Sequence, residues 1–442
     1  MAKTFNSRLF KGEELLTRGF GCVGILSLIP LWACGALGEA FTFSVALPLI
    51  LAIIALLIFV PSERLEVVLR IAFVVSATSI GITFADYLLR ALSGNTLYHQ
   101  AHAEYARKDP SYPLLFRYVP NVSSVRESFG DLGAISASPS HRVNRTEIFQ
   151  TDSFGFRNSP TSSHPPYDVV IVGDSFGMGL GSSQDEHWGA LLNNARHSVY
   201  NISMPVTCAS HGAARLSLEI DRLPLAPGAT IIALVYTGND IEDCDDSVDS
   251  ILQKKPYNRI DAFISLLQGY RSRSPIRQLC MRLVHRFIIT DPVIVVKRWE
   301  PFGEIIFYKP HDKAARATVE QLESNQNFKN LTGGLVKIKE IAKAHQAEVL
   351  VVGVPTKEEI YRWVLHDEAP WTGSDSESGL SQAVRALCGK NSLRYIDLKP
   401  ALAAEAKIAL SRGELLWWRD DSHWSPEGHE AVARFLNETV AP

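Results

Sequence analysis

Three polar clusters hold residues that could act together: Gly173-Asp174-Ser175-Phe176-Gly177, Thr237-Gly238-Asn239-Asp240 and Asp420-Asp421-Ser422-His423. They supply a nucleophile, an amide donor and an acid–base pair. A serine hydroxyl attacks only when a base takes its proton, which an imidazole does near neutral pH. A carboxylate on the far ring nitrogen fixes the tautomer and steadies the imidazolium. The oxyanion formed on attack needs donors already in place, each worth ~3–4 kcal/mol. The Asn239 amide and backbone N–H groups near Ser175 are the candidates. The expectation is acyl chemistry with Ser175 as nucleophile and His423 as base.

Such residues, far apart in the chain, need a scaffold that gathers them. From residue 167 short apolar runs alternate with helical patterns, which predicts a parallel sheet with crossover helices. The runs are Asp168 to Val172, Val199 to Ile202, Thr230 to Tyr236, Glu348 to Val354 and Arg394 to Ile396. Helical patterns fall at 187–196, 210–222, 332–346, 380–390 and 426–438. Ser425-Pro426 announces the last as N-cap and first helical residue. Ligands of open parallel sheets bind beyond the carboxyl ends of the strands, where the clusters stand. The interval 241–330 is too long for a simple crossover and reads as an insertion with its own helices. Residues 93–166, rich in Pro, Ser and Asn, read as an extended lead-in.

Gly173-Asp174-Ser175, Asn239 and the Asp-x-x-His of Asp420 and His423 resemble three of the four signature blocks of the SGNH, or GDSL, hydrolases. The resemblance runs in order from about residue 167 to 438. It implies a flavodoxin-like three-layer α/β/α sandwich and metal-free, cofactor-free ester chemistry. It also implies an oxyanion hole formed by the Ser175 N–H, a second backbone N–H and the Asn239 side chain. Asn201-Ile-Ser-Met-Pro-Val206-Thr is similar to the second block, with Val206 where glycine is usual. A β-branched residue does not easily adopt φ > 0, so the second donor is the weak point. Thr237 likewise replaces a usual glycine. Asp420 has the family's usual spacing to His423 and is the preferred partner. Asp421 is the alternative, because Asp421-Ser422-His423-Trp424 resembles a word of alginate O-acetylation proteins. Pro355-Thr-Lys357 with Tyr361 resembles that group too, as does a membrane region followed by an exported SGNH-like domain.

That membrane region is residues 1–92. Gly19 to Gly38 and Ala40 to Pro61 carry no charge, and each is long enough to cross a ~30 Å core at ~1.5 Å per residue. Ile71 to Leu89, interrupted by Asp86, is a weaker third transmembrane helix. Lys3, Arg8, Lys11 and Arg18 precede the first stretch, and Arg64 and Arg70 separate the second and third. With positive loops inside, three spans place the rest of the chain on the periplasmic side of a bacterial inner membrane; two would leave it in the cytoplasm. The formal net charge of −3, without a dense basic run, excludes an evident nucleic-acid binder. The partners expected are the membrane, an acylated glycan or polysaccharide, and subunits of a membrane complex.

Other residues have plainer readings. Cys208, Cys244, Cys280 and Cys388 lack the spacing of a zinc site, and separate buried thiols are expected, Cys208 and Cys244 being the pair that could join. Asp174 is expected to brace the serine turn. Asp240, Glu242, Asp243, Asp245 and Asp246 read as a solvated acidic loop, and no metal is expected. His187, His211 and His429 have packing or surface roles. Trp417, Trp418 and Trp424 could stack on a sugar or pack in the core. Two further functions remain open: a catalytically weak glycan-binding or assembly component, and a cytoplasmic lipid esterase.

Overall fold

A computed structural model describes residues 105–440 apart from 110, 137, 160–163, 196, 254–292 and 373–375, together with 81, 84–86, 88 and 89. The chain divides into two compact units. Tyr98–Pro256 with Asp291–Pro442 forms one; the other, Met1–Leu97 with Tyr257–Thr290, falls almost wholly outside the described residues. The first two hydrophobic stretches, and most of the third, lie outside them as well. Among the described residues no helix is long and apolar enough to cross a membrane.

The described part of the segment expected to be an extended lead-in, from residue 105 on, is folded into the main unit. Strands β1 (Ala106–Lys108) and β2 (Phe116–Tyr118) pair antiparallel. So do β3 (Ser123–Ser128) and β4 (Arg145–Gln150), with the short helix α1 (Asp131–Ile135) between them. Tyr118, Phe149 and Phe156 bury their rings in the main core, which is why this polar stretch does not float free. Burying one such ring contributes ~1.5–3 kcal/mol.

Alternation then begins: β5 (Tyr167–Val172), α2 (Ser175–Met178), α3 (Trp188–Ala195), β6 (Val199–Asn201), α4 (Ala209–Glu219) and β7 (Leu225–Tyr236). The inserted region holds α5 (Val248–Ile251), the antiparallel pair β8 (Ile294–Trp299) and β9 (Gly303–Tyr308), α6 (Lys309–Ala315) and α7 (Val319–Ser324). The chain closes with α8 (Gln326–Ala344), β10 (Glu348–Val354), α9 (Lys357–Ile360), α10 (Arg362–Leu365), α11 (Gly379–Lys390), β11 (Arg394–Asp397), α12 (Lys399–Ser411) and α13 (Pro426–Thr439).

The five central strands lie in the order β11-β10-β7-β5-β6, every pair parallel. Counted along the chain this is the flavodoxin-like 2-1-3-4-5 order, whose switch point lies between the first and third strands, β5 and β7. Both faces of β5 are covered, so its apolar run is continuous. Val170 and Val172 join the core beneath α4, α8 and α11, whereas Val169 and Ile171 join that beneath α3, α12 and α13. The expected three-layer α/β/α sandwich is present.

Cys208 and Cys244 form a disulfide with Cα atoms 5.6 Å apart, and Cys388 is a buried free thiol. The expectation of separate thiols is corrected for this pair. Cys208 stands at the N-cap position of α4 just after β6, and Cys244 follows β7; these strands flank β5 on either side. The crosslink therefore spans the end of the strand that carries Ser175.

Candidate active site

Ser175 opens α2 directly beyond β5. The Asp174 side chain caps this helix by accepting from the N–H groups of Phe176 (2.9 Å) and Gly177 (3.4 Å), and Gly179 ends it in the left-handed region at φ 85°. Asp174 thus takes the bracing position read for it. Its burial raises its carboxyl to about 6, against the opposing pull of His423 and those N–H donors.

His423 Nε2 lies 2.9 Å from Ser175 Oγ, and its Nδ1 lies 2.7 Å from Asp421 Oδ1. The serine, imidazole and carboxylate form one hydrogen-bonded line. The carboxylate on the ring is Asp421, so the preference for Asp420 is replaced by its alternative. Asp420 faces away from the ring. Its Oδ2 accepts from the N–H groups of Gly130 and Val143, both at 2.8 Å, and its carbonyl accepts from Gly133 at 2.8 Å. It ties the α1 region to the histidine loop. A Cβ on Gly130 would lie 1.9 Å from the Asp420 carbonyl oxygen, so only glycine permits this approach. Asp420→Ala is expected to strand one buried and one partly buried N–H group and lower unfolding free energy by about 1–3 kcal/mol, read from urea midpoints at constant slope.

Two residues from the N-terminal segment complete the surroundings. Arg145 donates to Asp421 Oδ2, lies 3.5 Å from Asp420 Oδ1 and stacks its guanidinium 4.6 Å over Trp418. Asp131 accepts from Ser422 N at 2.8 Å and from the Ser422 hydroxyl, and reaches within 3.9 Å of His423 Nδ1. Burial and the neighbouring Asp421 charge raise the Asp131 carboxyl to about 6, although its side chain keeps 23% exposure. Lys357 Nζ donates to the carbonyls of Trp418 and Asp421, both at 2.9 Å, and so fixes the same loop from below. Thr356 and Glu359 form a capping box that sets the turn bearing Lys357. Sequence reasoning missed Asp131 and Arg145, which lie outside the motif blocks.

Burial works against a charged imidazole, but Asp421 first, and then Asp131 and Asp174, outweigh it and raise the His423 pKa above its usual 6.5. Asp421 is held well below the ordinary carboxylate range: burial opposes its charge, and His423 and Arg145 overcome that opposition. A base works only when unprotonated, so kcat/KM should rise with pH through an apparent pKa above 6.5. Asp421→Asn removes the charge that favours imidazolium and should move that limb to lower pH.

Ser175, His423, Asn239 and Val206 line one cavity of about 390 Å³. Asn239 Nδ2 donates to Asp243 at 2.8 Å, and Thr237 is pinned to the Val354 carbonyl at 3.0 Å. Val206 has φ 55°, the left-handed backbone a glycine would ordinarily supply, and its side chain is 70% exposed. The loop keeps the glycine-like geometry despite the β-branch, which costs ~1–2 kcal/mol. Thr207 and Met204 hold it to the Gly173 carbonyl at 3.2 and 3.1 Å.

The remaining candidates sort by burial. Trp424 is completely buried, 4.7 Å from the Phe176 ring, and Trp417 is buried beside it. Trp424 therefore packs the core and is not available to stack on a sugar. Trp418 donates to the Gly181 carbonyl at 2.8 Å. His187, His211 and His429 are buried, and burial lowers all three pKa values, His211 to about 4 and His429 to about 3. In the acidic loop, Asp240 accepts from Tyr236 N at 2.9 Å and Asp246 from Ser250 Oγ at 2.8 Å.

A nucleophile, base and carboxylate aligned at the switch point of a flavodoxin-type sheet form the arrangement that serine-dependent acyl chemistry uses. Residues 314–442 match the family described as "SGNH hydrolase-like domain, acetyltransferase AlgX". The likeness to this SGNH hydrolase-like, AlgX-type family is thus carried by these C-terminal residues. No curated protein matches the sequence. Among solved structures it is similar to TesA, at 13% identity and TM-score 0.31, covering 62% of this chain and 98% of that one. A lipolytic protein of the G-D-S-L family from Desulfitobacterium hafniense DCB-2 is similar at 13% identity and TM-score 0.29, covering 61% and 97%.

Proposed function

We propose that the protein is a serine-dependent acyl-ester hydrolase or O-acyltransferase acting on an extracytoplasmic glycan, with acetyl as the acyl group. The single observation carrying this is the Ser175–His423–Asp421 line inside an open cavity. His423 takes the Ser175 proton as the hydroxyl attacks the ester carbon. The negative oxygen is met by the Ser175 N–H, the Asn239 amide and the Val206 N–H. The tetrahedral adduct collapses, His423 returns the proton to the leaving alcohol, and the acyl group remains on Ser175. Water or a sugar hydroxyl then attacks the acyl carbon and gives its proton to His423, which passes it to Ser175 Oγ as the acyl–oxygen bond breaks and the acyl group leaves on the acceptor.

The Cys208–Cys244 bond supports an oxidising compartment, and with it the placement of this domain outside the cytoplasm beyond three N-terminal spans. Membrane-complex subunits would then be partners on the same side. Val206 supplies the one observation for a second reading, a catalytically weak glycan-binding component, because a strained donor loop would blunt the oxyanion hole. A fluorophosphonate probe separates the two. The wild type should label, and Ser175→Ala should not. Folded wild-type protein that resists labelling would leave only the binding reading.

A further inference from the structure

The cavity contains a second histidine that the triad does not use. His311, at the start of α6, lines it together with Tyr308 and Tyr236. Tyr236 Oη lies 3.2 Å from His311 Nδ1, and Glu358 Oε2 lies 3.6 Å from the same nitrogen. Glu358 is wholly buried; its other oxygen accepts from Tyr308 N at 2.8 Å, and Oε2 has no hydrogen-bond partner among the described residues. The rings of His311, Tyr236, Phe176 and His423 follow one another with centroids 5.5, 4.2 and 5.1 Å apart. Two imidazoles thus stand at opposite ends of an aromatic floor.

The partners of Nδ1 anchor the ring from one side. Burial, and then the negative charge of Glu358, hold the Tyr236 hydroxyl protonated, well above its ordinary value. That hydroxyl can give a hydrogen bond to Nδ1 or receive one from it, whereas the Glu358 carboxylate only receives. Nε2 is a donor when Nδ1 accepts and an acceptor when Nδ1 carries the ring proton. In either tautomer His311 offers one hydrogen-bonding nitrogen from a ring whose far side is fixed by the fold.

We propose that His311 is the residue that grips the glycan, hydrogen-bonding through Nε2 to a sugar hydroxyl in the part of the cavity lined by Tyr236 and Tyr308, with the Tyr308 ring as the adjoining apolar surface. Sugars present hydroxyls, which donate and accept, beside apolar C–H faces, and a polar nitrogen next to an aromatic ring suits both. This rests on the esterase or transferase reading above and deepens it by assigning a specificity residue.

The test compares an aryl acetate, which is too small to span the cavity, with an acetylated oligosaccharide in wild type, His311→Phe and His311→Gln. His311→Phe keeps a ring but removes the hydrogen-bonding nitrogen; His311→Gln restores a polar group that can donate or accept. For the phenylalanine variant, KM for the oligosaccharide should rise about 3- to 10-fold, as expected for one lost hydrogen bond, with a smaller change in kcat. The fall in kcat/KM should be several times larger for the oligosaccharide than for the aryl ester, and glutamine should recover part of it. Equal losses on both substrates, or no loss on the oligosaccharide, would overturn the proposal. So would a wild type that turns over aryl esters and no oligosaccharide. Absence of aryl-ester turnover and labelling in the wild type would instead sink the serine-esterase reading itself.

Discussion

Asp421→Asn should lower kcat about 10⁴-fold, while Asp420→Asn should lower it far less. The difference follows from which carboxylate meets the ring. Asp421 Oδ1 lies 2.7 Å from His423 Nδ1, so its replacement by an amide favours the wrong tautomer and leaves the imidazolium uncompensated. Losses of about 10⁴ attend this change in serine enzymes of other folds. Among the described residues Asp420 accepts only from backbone N–H groups and Arg145, and its replacement acts on the stability of the loop. Steady-state rates on an aryl acetate, with melting curves as a control for folding, distinguish the two. Equal kinetic losses in the two variants would contradict the assignment. Arg145 complicates neither comparison, since it touches both carboxylates and is left in place.

Cys208→Ser with Cys244→Ser should lower stability by about 3–4 kcal/mol, from the chain entropy released when a crosslink across a sequence separation of 36 is opened. At roughly 2–4 °C per kcal/mol for a domain of this size, Tm should fall by about 10 °C. An effect on kcat should accompany it at temperatures where the variant remains folded. Cys208 follows Val206 by two residues, and Cys244 follows Asp243, the partner of the Asn239 amide. The bridge ties together the two loops offered as oxyanion donors. A reductant should reproduce both losses in the wild type and change nothing in the double variant. Intact activity in fully reduced, folded protein would show that the donor loops hold their positions without it.

Much of the fold was legible because each central strand is a short apolar run between turn residues, and five of the covering helices carry a periodic apolar face. Lys399–Ser411 escaped: its small alanines mark no face, although Leu402, Ala403 and Ala406 are buried in the core. The strands of the 105–159 segment escaped because three- to six-residue hairpin strands with polar outward faces look like loop sequence. Ser175, Asn239 and His423 were readable from type and order. The choice between two adjacent aspartates was not, because it turns on which way each side chain leaves a tight loop. Asp131 had no local signal, since its bond to Ser422 crosses 291 residues.

That separation has a temporal consequence. A chain made from its N-terminus threads Asp131 and Arg145 long before their partners exist, and Ser175 follows without a base. Until the stretch at 420–423 leaves the ribosome, the two early residues have nothing to hold and the serine is an ordinary alcohol. Nascent protein halted short of residue 420 should carry a formed nucleophile turn and no esterase activity. The serine gains its base only once residues 420–423 have been made and folded back onto it.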